Sequence, residues 1–405
     1  MKRIYLDHAA ATPVDSWVKE SMESYDSDAF GNPSAIHREG VAAKNALESA
    51  RETVAGLLHV HGNEIIFTAS ATESVNLAIW GAVRKWQEVH PSEIAHVIVS
   101  SVEHDAVLES VRHLQNEGVG VDRIPVLESG VVNLDVLKEK IQDNTVIVSV
   151  MYANNEIGTI QPIKDIAKLI RKWRKDVRGV TRIGKPEGDQ MYPLFHTDAC
   201  QAINYCDTDI PALGVDLMTL NAAKIYGPTG IGALVRLRAT PIAPIIVGGG
   251  HEFGLRAGTE NVSGIIGFAE ALAIAKEMRE SESARLIVIR DYAFVELERN
   301  IPEVIINGRR TERLPNNVHF SIPEVDHEFL ALALDARGFA VATKSACNEF
   351  DADTSHVLVA LRLAEDSDNP ESGIRLSLGR STQVEDIDAF ISALKDIMST
   401  MIVRV

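Results

Sequence analysis

Asp216-Leu-Met-Thr-Leu-Asn-Ala-Ala-Lys224-Ile-Tyr-Gly-Pro-Thr-Gly-Ile-Gly-Ala-Leu-Val235 decides the reading of the fold. An apolar run carries a lysine to a turn rich in glycine and proline, and a second apolar run leaves that turn. Two short buried strands joined by a tight connection fit this pattern. Similar runs lie upstream at 64–68, 96–100, 119–126, 145–152 and 192–197, and 231–237 closes the series. Between most of them the spacing changes to the helical period, over 37–58, 71–88, 105–117, 133–141 and 163–176. In the first of these, Leu47, Ala50, Val54, Leu57 and Leu58 share one face. Strand and helix in alternation need crossover connections, so a mostly parallel sheet is expected.

Beyond about residue 260 the character changes. Two helical segments, 262–281 and 283–299, precede shorter strands near 303–307, 316–322, 339–343 and 374–378. An amphipathic helix over about 384–402 ends the chain. This reads as a smaller α/β domain.

Ligands of parallel sheets gather in the loops beyond the carboxyl ends of the strands. His104, Asn155, Asp198 and Lys224 all fall at or just after an expected strand end. Such places disfavour a charged group unless it is paired or chemically used. A lysine that forms a Schiff base and an aspartate that pairs with a pyridinium nitrogen are the two protein groups that pyridoxal phosphate (PLP) requires. Taken singly, a lysine beside a Gly-Pro turn is an ordinary turn, and Asp198 is an ordinary helix cap. Taken together they point to PLP.

Further segments carry a specific resemblance. They are Tyr5–Pro13, Phe30–Ser34, Phe67–Asn76, Glu103-His104, Asn154–Gly158, His196–Gln201 and Lys224–Gly232. Gly248–Glu252, Arg256–Asn261, Ser345–Cys347 and Ile374–Arg380 complete the set. In this order, nearly end to end, they resemble the cysteine desulfurases of the aminotransferase class V superfamily. The resemblance implies the PLP-dependent transferase fold, aspartate aminotransferase-like (fold type I). A large, mostly parallel-sheet domain would span 14–260. A small α/β domain would combine 1–13 with 261–405 and carry a cysteine loop.

The resemblance also implies roles. Lys224 would hold PLP and, once released by substrate, act as general base. Asp198 would pair with the ring nitrogen, Gln201 would donate to the ring hydroxyl, and His104 would stack on the ring and take part in proton transfer. Asn155 would orient ring and substrate. Ala71 and Thr72, at the start of a helix, would cradle the phosphate, and the same letters also make a capping box. Thr259 would reach the phosphate of a partner subunit, which implies a homodimer with shared active sites. Arg375 would grip the substrate carboxylate. Cys347 would attack the sulfur of L-cysteine, leaving L-alanine, and carry it as a persulfide. The acceptor would be an iron–sulfur scaffold or another sulfur-accepting protein, including one for tRNA thiolation. Acidic neighbours Glu349, Asp351 and Asp353 would raise the pKa of that thiol unless a base offsets them.

The chain departs from the family at one point. Where relatives carry Ser-x-His-Lys, it reads Asn221-Ala222-Ala223-Lys224. Asn221 keeps a donor for the phosphate and Ala223 does not. A selenocysteine lyase shares the fold and nearly all these residues. Another class V aminotransferase would have no need of Cys347, and a non-catalytic sulfur-transfer scaffold would need none of the set.

Composition bounds the rest. With 405 residues, 45% hydrophobic and 24% charged, the chain reads as a soluble globular protein of about two domains. Its net charge of −17 argues against a general nucleic-acid surface. The cluster Arg171-Lys172-Trp-Arg174-Lys175 reads as a solvated helix end. No apolar run approaches the ~20 residues of a membrane span. Three cysteines, Cys200, Cys206 and Cys347, make neither a disulfide framework nor a metal site. A cytoplasmic location follows as the expectation. Cys200 and Cys206 read as packing residues, and 175–190 reads as an exposed insertion.

Overall fold

The computed structural model describes residues 3–28, 30–178, 191–343, 354–365, 370 and 372–402. In chain order the helices are α1 (Ser16–Asp28), α2 (Arg38–Leu58), α3 (Ala71–Val89), α4 (Asp105–Asn116), α5 (Leu134–Lys140) and α6 (Ile163–Trp173). They continue as α7 (Ile210–Leu213), α8 (Val262–Asn300), α9 (His327–Ala336), α10 (His356–Glu365) and α11 (Val384–Ile402). The strands are β1 (Ile4–Tyr5), β2 (Ile65–Thr68), β3 (His96–Ser100), β4 (Gly120–Ile124), β5 (Thr145–Ser149) and β6 (Leu194–Asp198). After them come β7 (Leu217–Asn221), β8 (Gly232–Arg236), β9 (Ile305–Ile306), β10 (Asn317–Ser321), β11 (Phe339–Ala340) and β12 (Ile374–Ser377).

A seven-stranded sheet in the order β2-β8-β7-β6-β5-β3-β4 forms the centre. Its neighbours pair in parallel from β7 to β4, while β8 runs antiparallel to both β7 and β2. Every residue of β3 and β5 is buried, and both are built around Val-Ile-Val. β-Branched residues suit a pleated surface covered on both faces, so these runs read as continuous rather than alternating. Helices supply the covers. In α6 the buried residues are Ile163, Ile166, Ala167 and Ile170, a stripe of helical period.

A three-stranded sheet, β12-β10-β9, and the parallel pair β1-β11 lie outside this sheet. Leu6, Phe320, Leu376 and Phe390 share a second core with the later part of α8. The expected pair of helices over 262–299 is instead the single helix α8, 39 residues long. The polar stretch Glu280-Ser-Glu-Ser283 looks like a break, yet it holds no glycine or proline to stop a helix. Glu282 instead pairs with Arg285 one turn on. The apolar stripe serves two cores. Ile265, Phe268 and Leu272 pack on the large sheet, and Leu286, Phe294 and Leu297 pack on the second core.

Arg174 is not a solvated helix end. Its guanidinium pairs with Asp216 and donates to the carbonyl of Pro193, with a side chain 15% exposed. Most of the expected insertion, 179–190, lies outside the described residues.

Candidate active site

β7 ends at Asn221 and the chain turns at once. The Asn221 side chain accepts from the Ala223 N–H at 3.1 Å, which closes a short 3-10 turn over Ala222–Lys224. Tyr226 then takes a left-handed φ of 62°. At Gly227 a Cβ would lie 2.9 Å from the Ala222 oxygen and 3.0 Å from Ala271 of α8, so this turn admits no side chain there. The N-terminal segment covers the turn. Lys224 Nζ donates to the carbonyls of Ala9 (2.9 Å) and Ala10 (2.6 Å). The Thr12 hydroxyl donates to the Ala223 carbonyl at 3.0 Å.

Asp198 is the last residue of β6 and is buried, 8% exposed. Its Oδ1 accepts the Cys200 N–H at 2.9 Å. His104 caps α4, with Nδ1 accepting from the Ala106 N–H at 3.1 Å, so a neutral ring carries its proton on Nε2. Asn154 ties the loop after β5, because its Oδ1 accepts from the N–H groups of Glu156 and Ile157. That leaves the Asn155 side chain on the cavity wall.

Arg375, on β12, donates from Nη1 to the Asn155 carbonyl at 3.0 Å and from Nη2 to Asp7 at 2.8 Å. Its Nε is buried and has no partner among the described residues.

The start of α3 is capped by Ser70, which accepts from the Glu73 N–H, while Glu73 accepts from the Ala69 N–H at 2.8 Å. A Cβ at Gly232 would stand 2.8 Å from the Ser70 carbonyl carbon, so only glycine lets the helix start sit this close to β8.

These parts meet. One cavity of about 180 Å3 is lined by Ala71, Thr72, His104, Asn155, Asp198, Gln201, Asn221, Lys224 and Arg375. A primary amine, a buried carboxylate, a capped helix start and a guanidinium side chain therefore line one cavity. That donor set fits PLP and a carboxylate-bearing substrate.

Several expectations change. Gln201 donates from Nε2 to the Ala9 carbonyl at 3.0 Å, so only its second amide proton is left for a cofactor hydroxyl. Thr259, expected at the phosphate of a partner subunit and not of its own, is exposed and borders a separate depression of about 80 Å3 with Arg256 and Glu260. Cys200, expected only to pack, lines the cavity, and burial and the nearby Asp198 push its thiol well above the usual range. Cys206 packs in the large core. Cys347 lies outside the described residues.

Other residues of the site carried no expected role. Asp7 and the Ala9 and Ala10 carbonyls come from the Tyr5–Pro13 motif, whose carboxylate was the available signal. Glu103 is fully buried, and desolvation pushes its carboxyl up to about 8. Its Oε1 accepts from the Ser100 hydroxyl at 2.5 Å and the Met151 N–H at 2.7 Å, which opposes the rise without cancelling it. His196, on β6, is also fully buried, and desolvation lowers its pKa to about 4.

Comparison with known proteins shows the family. Residues 4–390 match the aminotransferase class-V family. A cysteine desulfurase IscS of Dictyoglomus turgidum is 39% identical over 402 residues, 99% of this chain and 96% of the relative. A cysteine desulfurase IscS 1 of Archaeoglobus fulgidus is 37% identical over 98% of this chain and 97% of its own. A solved structure of a NifS-like protein superposes with a TM-score of 0.85 at 33% identity, covering 98% of this chain and 100% of the other. The architecture is that of the fold type I PLP-dependent transferases. With the family matched nearly end to end, the chain belongs to the aminotransferase class-V family, in its cysteine desulfurase branch.

Proposed function

We propose that this protein is a PLP-dependent cysteine desulfurase that converts L-cysteine to L-alanine and passes the sulfur on as a persulfide of Cys347. The observation that carries the reading is the single cavity that joins Lys224, Asp198, His104, Asn155 and Arg375. Bound PLP supplies an electron sink for the substrate's α-carbon. Lys224 would anchor the cofactor and would then move the α-proton. Asp198 would hold a proton at the ring nitrogen, and His104 would take part in proton transfer. Asn221, Ala71 and Thr72 would receive the phosphate. Arg375 and Asn155 orient the substrate. The Cys347 thiolate takes the sulfur: an S–S bond forms and the Cβ–S bond breaks. The carbon keeps the electron pair and gains a proton, which yields alanine.

A homodimer fits the placement of Thr259, which is free of its own chain's cavity and available to a second one. Residues 1–13 with 261–405 would form the small domain, and 14–260 the large one. The sulfur acceptor would be an iron–sulfur scaffold or another acceptor protein. Cys200 and Cys206 are both free thiols, which supports a reducing compartment such as the cytoplasm. No helix among the described residues is long and apolar enough to cross a membrane.

The test is alanine and sulfide release from L-cysteine by the PLP-loaded protein, with L-selenocysteine as a parallel substrate. Alanine from selenocysteine alone would point to a selenocysteine lyase, and alanine from neither would overturn the proposal.

A further inference from the structure

Tyr226 stands two residues after Lys224 in a left-handed backbone, with a φ of 62°. For a bulky side chain this conformation is an outlier. A strained residue persists only where its surroundings over-determine it, and such residues gather at ligand sites. What restrains Tyr226 therefore bears on Lys224.

The restraint comes from both ends of the chain. The N-terminal segment takes the backbone. The Tyr226 N–H donates to the Thr12 hydroxyl at 2.7 Å, and the Tyr226 carbonyl accepts from the Asp15 N–H at 2.9 Å. The C-terminal part takes the side chain. The Arg380 guanidinium carbon lies 4.0 Å from the centroid of the Tyr226 ring, and the Arg380 N–H donates to the Tyr226 hydroxyl at 2.8 Å. Arg380 then closes the circle, because its Nη1 donates to Asp15 Oδ2 at 2.8 Å. Tyr226 is buried, and the Arg380 and Asp15 side chains are 16% and 23% exposed. A cation over an aromatic face gains most when it is withdrawn from water in this way.

Arg380 is itself fixed. Arg285 of α8 donates to the carbonyls of Gly379 at 2.9 Å, Arg380 at 3.3 Å and Thr382 at 2.6 Å. Earlier on the same stretch, β12 brings Arg375 to the cavity. On the other side of Tyr226, Lys224 reaches the same cavity, and its carbonyl accepts from Asn204 Nδ2 at 2.6 Å. The clamp thus joins the turn that carries the lysine to the strand that carries the arginine.

We infer that Arg380 and Asp15 are positioning residues for Lys224: by clamping Tyr226 in its strained conformation, they fix the direction in which the lysine amine enters the cavity, in register with Arg375. The inference rests on the proposed role of Lys224 as the cofactor lysine. Arg380, Asp15 and Tyr226 stand outside the cavity lining, so they act through the turn.

The experiment uses the full-length chain, freed of cofactor and mixed with PLP. Covalent attachment to Lys224 is followed by absorbance and confirmed by borohydride trapping. With Arg380→Met the attachment rate should fall about tenfold, as lost orientation predicts. In a Lys224→Ala background the same substitution should leave the Kd for PLP within about twofold, because it shares no partner with the groups that receive the cofactor. Glycine needs no clamp at this φ, so adding Arg380→Met to Tyr226→Gly should change the attachment rate by less than about twofold. Asp15→Asn keeps its size and its N–H, and should slow attachment about threefold through the weakened ion pair.

A wild-type attachment rate in Arg380→Met overturns the inference. So does an equal loss of PLP affinity in the Lys224→Ala background, or an undiminished effect in the Tyr226→Gly background. If Arg380→Met does not fold, Asp15→Asn decides alone, and a wild-type rate there overturns the inference. A wild type that attaches no PLP at Lys224 overturns the proposed function instead. Amide hydrogen exchange over 222–227 in the cofactor-free chain then decides: faster exchange in Arg380→Met supports the clamp, and unchanged exchange overturns it.

Discussion

Arg375 and Asp7, 368 positions apart in the sequence, form an ion pair of 2.8 Å at the wall of the candidate active site. The arginine side chain is 3% exposed and the aspartate 18%. Asp7 and the Asn155 carbonyl each take one terminal nitrogen of the guanidinium, and Nε is buried without a partner among the described residues. A substrate carboxylate would meet an arginine whose orientation is already set. Arg375→Lys keeps the charge but loses the fork that contacts Asp7, Asn155 and substrate together. We expect KM for L-cysteine to rise at least tenfold, about 1.4 kcal/mol, with PLP absorbance unchanged. An unaltered KM would mean that the carboxylate is held elsewhere.

Lys224→Ala should abolish turnover and the yellow absorbance of the covalently held cofactor. PLP can still bind through the helix start and Asp198. Borohydride reduction of the wild type followed by peptide mass spectrometry should place the label on Lys224. A label on another lysine would refute the assignment.

Cys347→Ser keeps size and polarity but removes the thiolate nucleophile. Sulfur leaves poorly without a nucleophile to take it, whereas selenium escapes more readily. Alanine release from L-cysteine should drop on the order of a hundredfold or more, equivalent to about 2.7 kcal/mol of barrier. PLP binding and alanine release from L-selenocysteine should largely survive. A mutant that makes alanine from L-cysteine at the wild-type rate would remove Cys347 from the mechanism.

Glu103 ties stability to pH. Its carboxyl is raised to about 8 in the fold, while the unfolded chain ionises near the ordinary glutamate value. The folded state therefore holds one more proton across that interval. The contribution is fully present below the unfolded value and is lost as pH rises through about 8. The slope is about −1.4 kcal/mol per pH unit for a single proton. Glu103→Gln mimics the neutral acid and cannot ionise. Urea unfolding between pH 5 and 9, roughly the interval that the shift spans, should show the wild type losing stability relative to Glu103→Gln as pH rises. Parallel curves would mean that Glu103 is ionised in the fold at neutral pH.

Much of this protein is legible in its sequence by itself. Runs such as Val-Ile-Val in β3 and β5 are buried on both faces, so they announce central strands without any knowledge of their neighbours. The helix from 384 to 402 matches its expected bounds, because local periodicity reports a local face. His104, Asn155, Asp198 and Lys224 could be placed at strand ends, and alternation of strand and helix brings such ends to one edge of a parallel sheet.

Other features depended on which distant surfaces meet. Helices α1, α9 and α10 carried no expectation, since exposed apolar residues such as Trp17, Phe329, Leu332 and Leu363 blur their stripes. Helix α8 reads as two because its apolar residues serve two cores. The Gln201 amide turned to the Ala9 carbonyl and Cys200 on the cavity wall left no trace in spacing. The same holds for Asp7 on Arg375 and for Ser355 on Glu156. Each of these follows from packing the N-terminal segment, the central sheet and the C-terminal strands together. A side chain's partner hundreds of residues away is chosen by the shape and unsatisfied donors of the assembled interior, which no local pattern encodes.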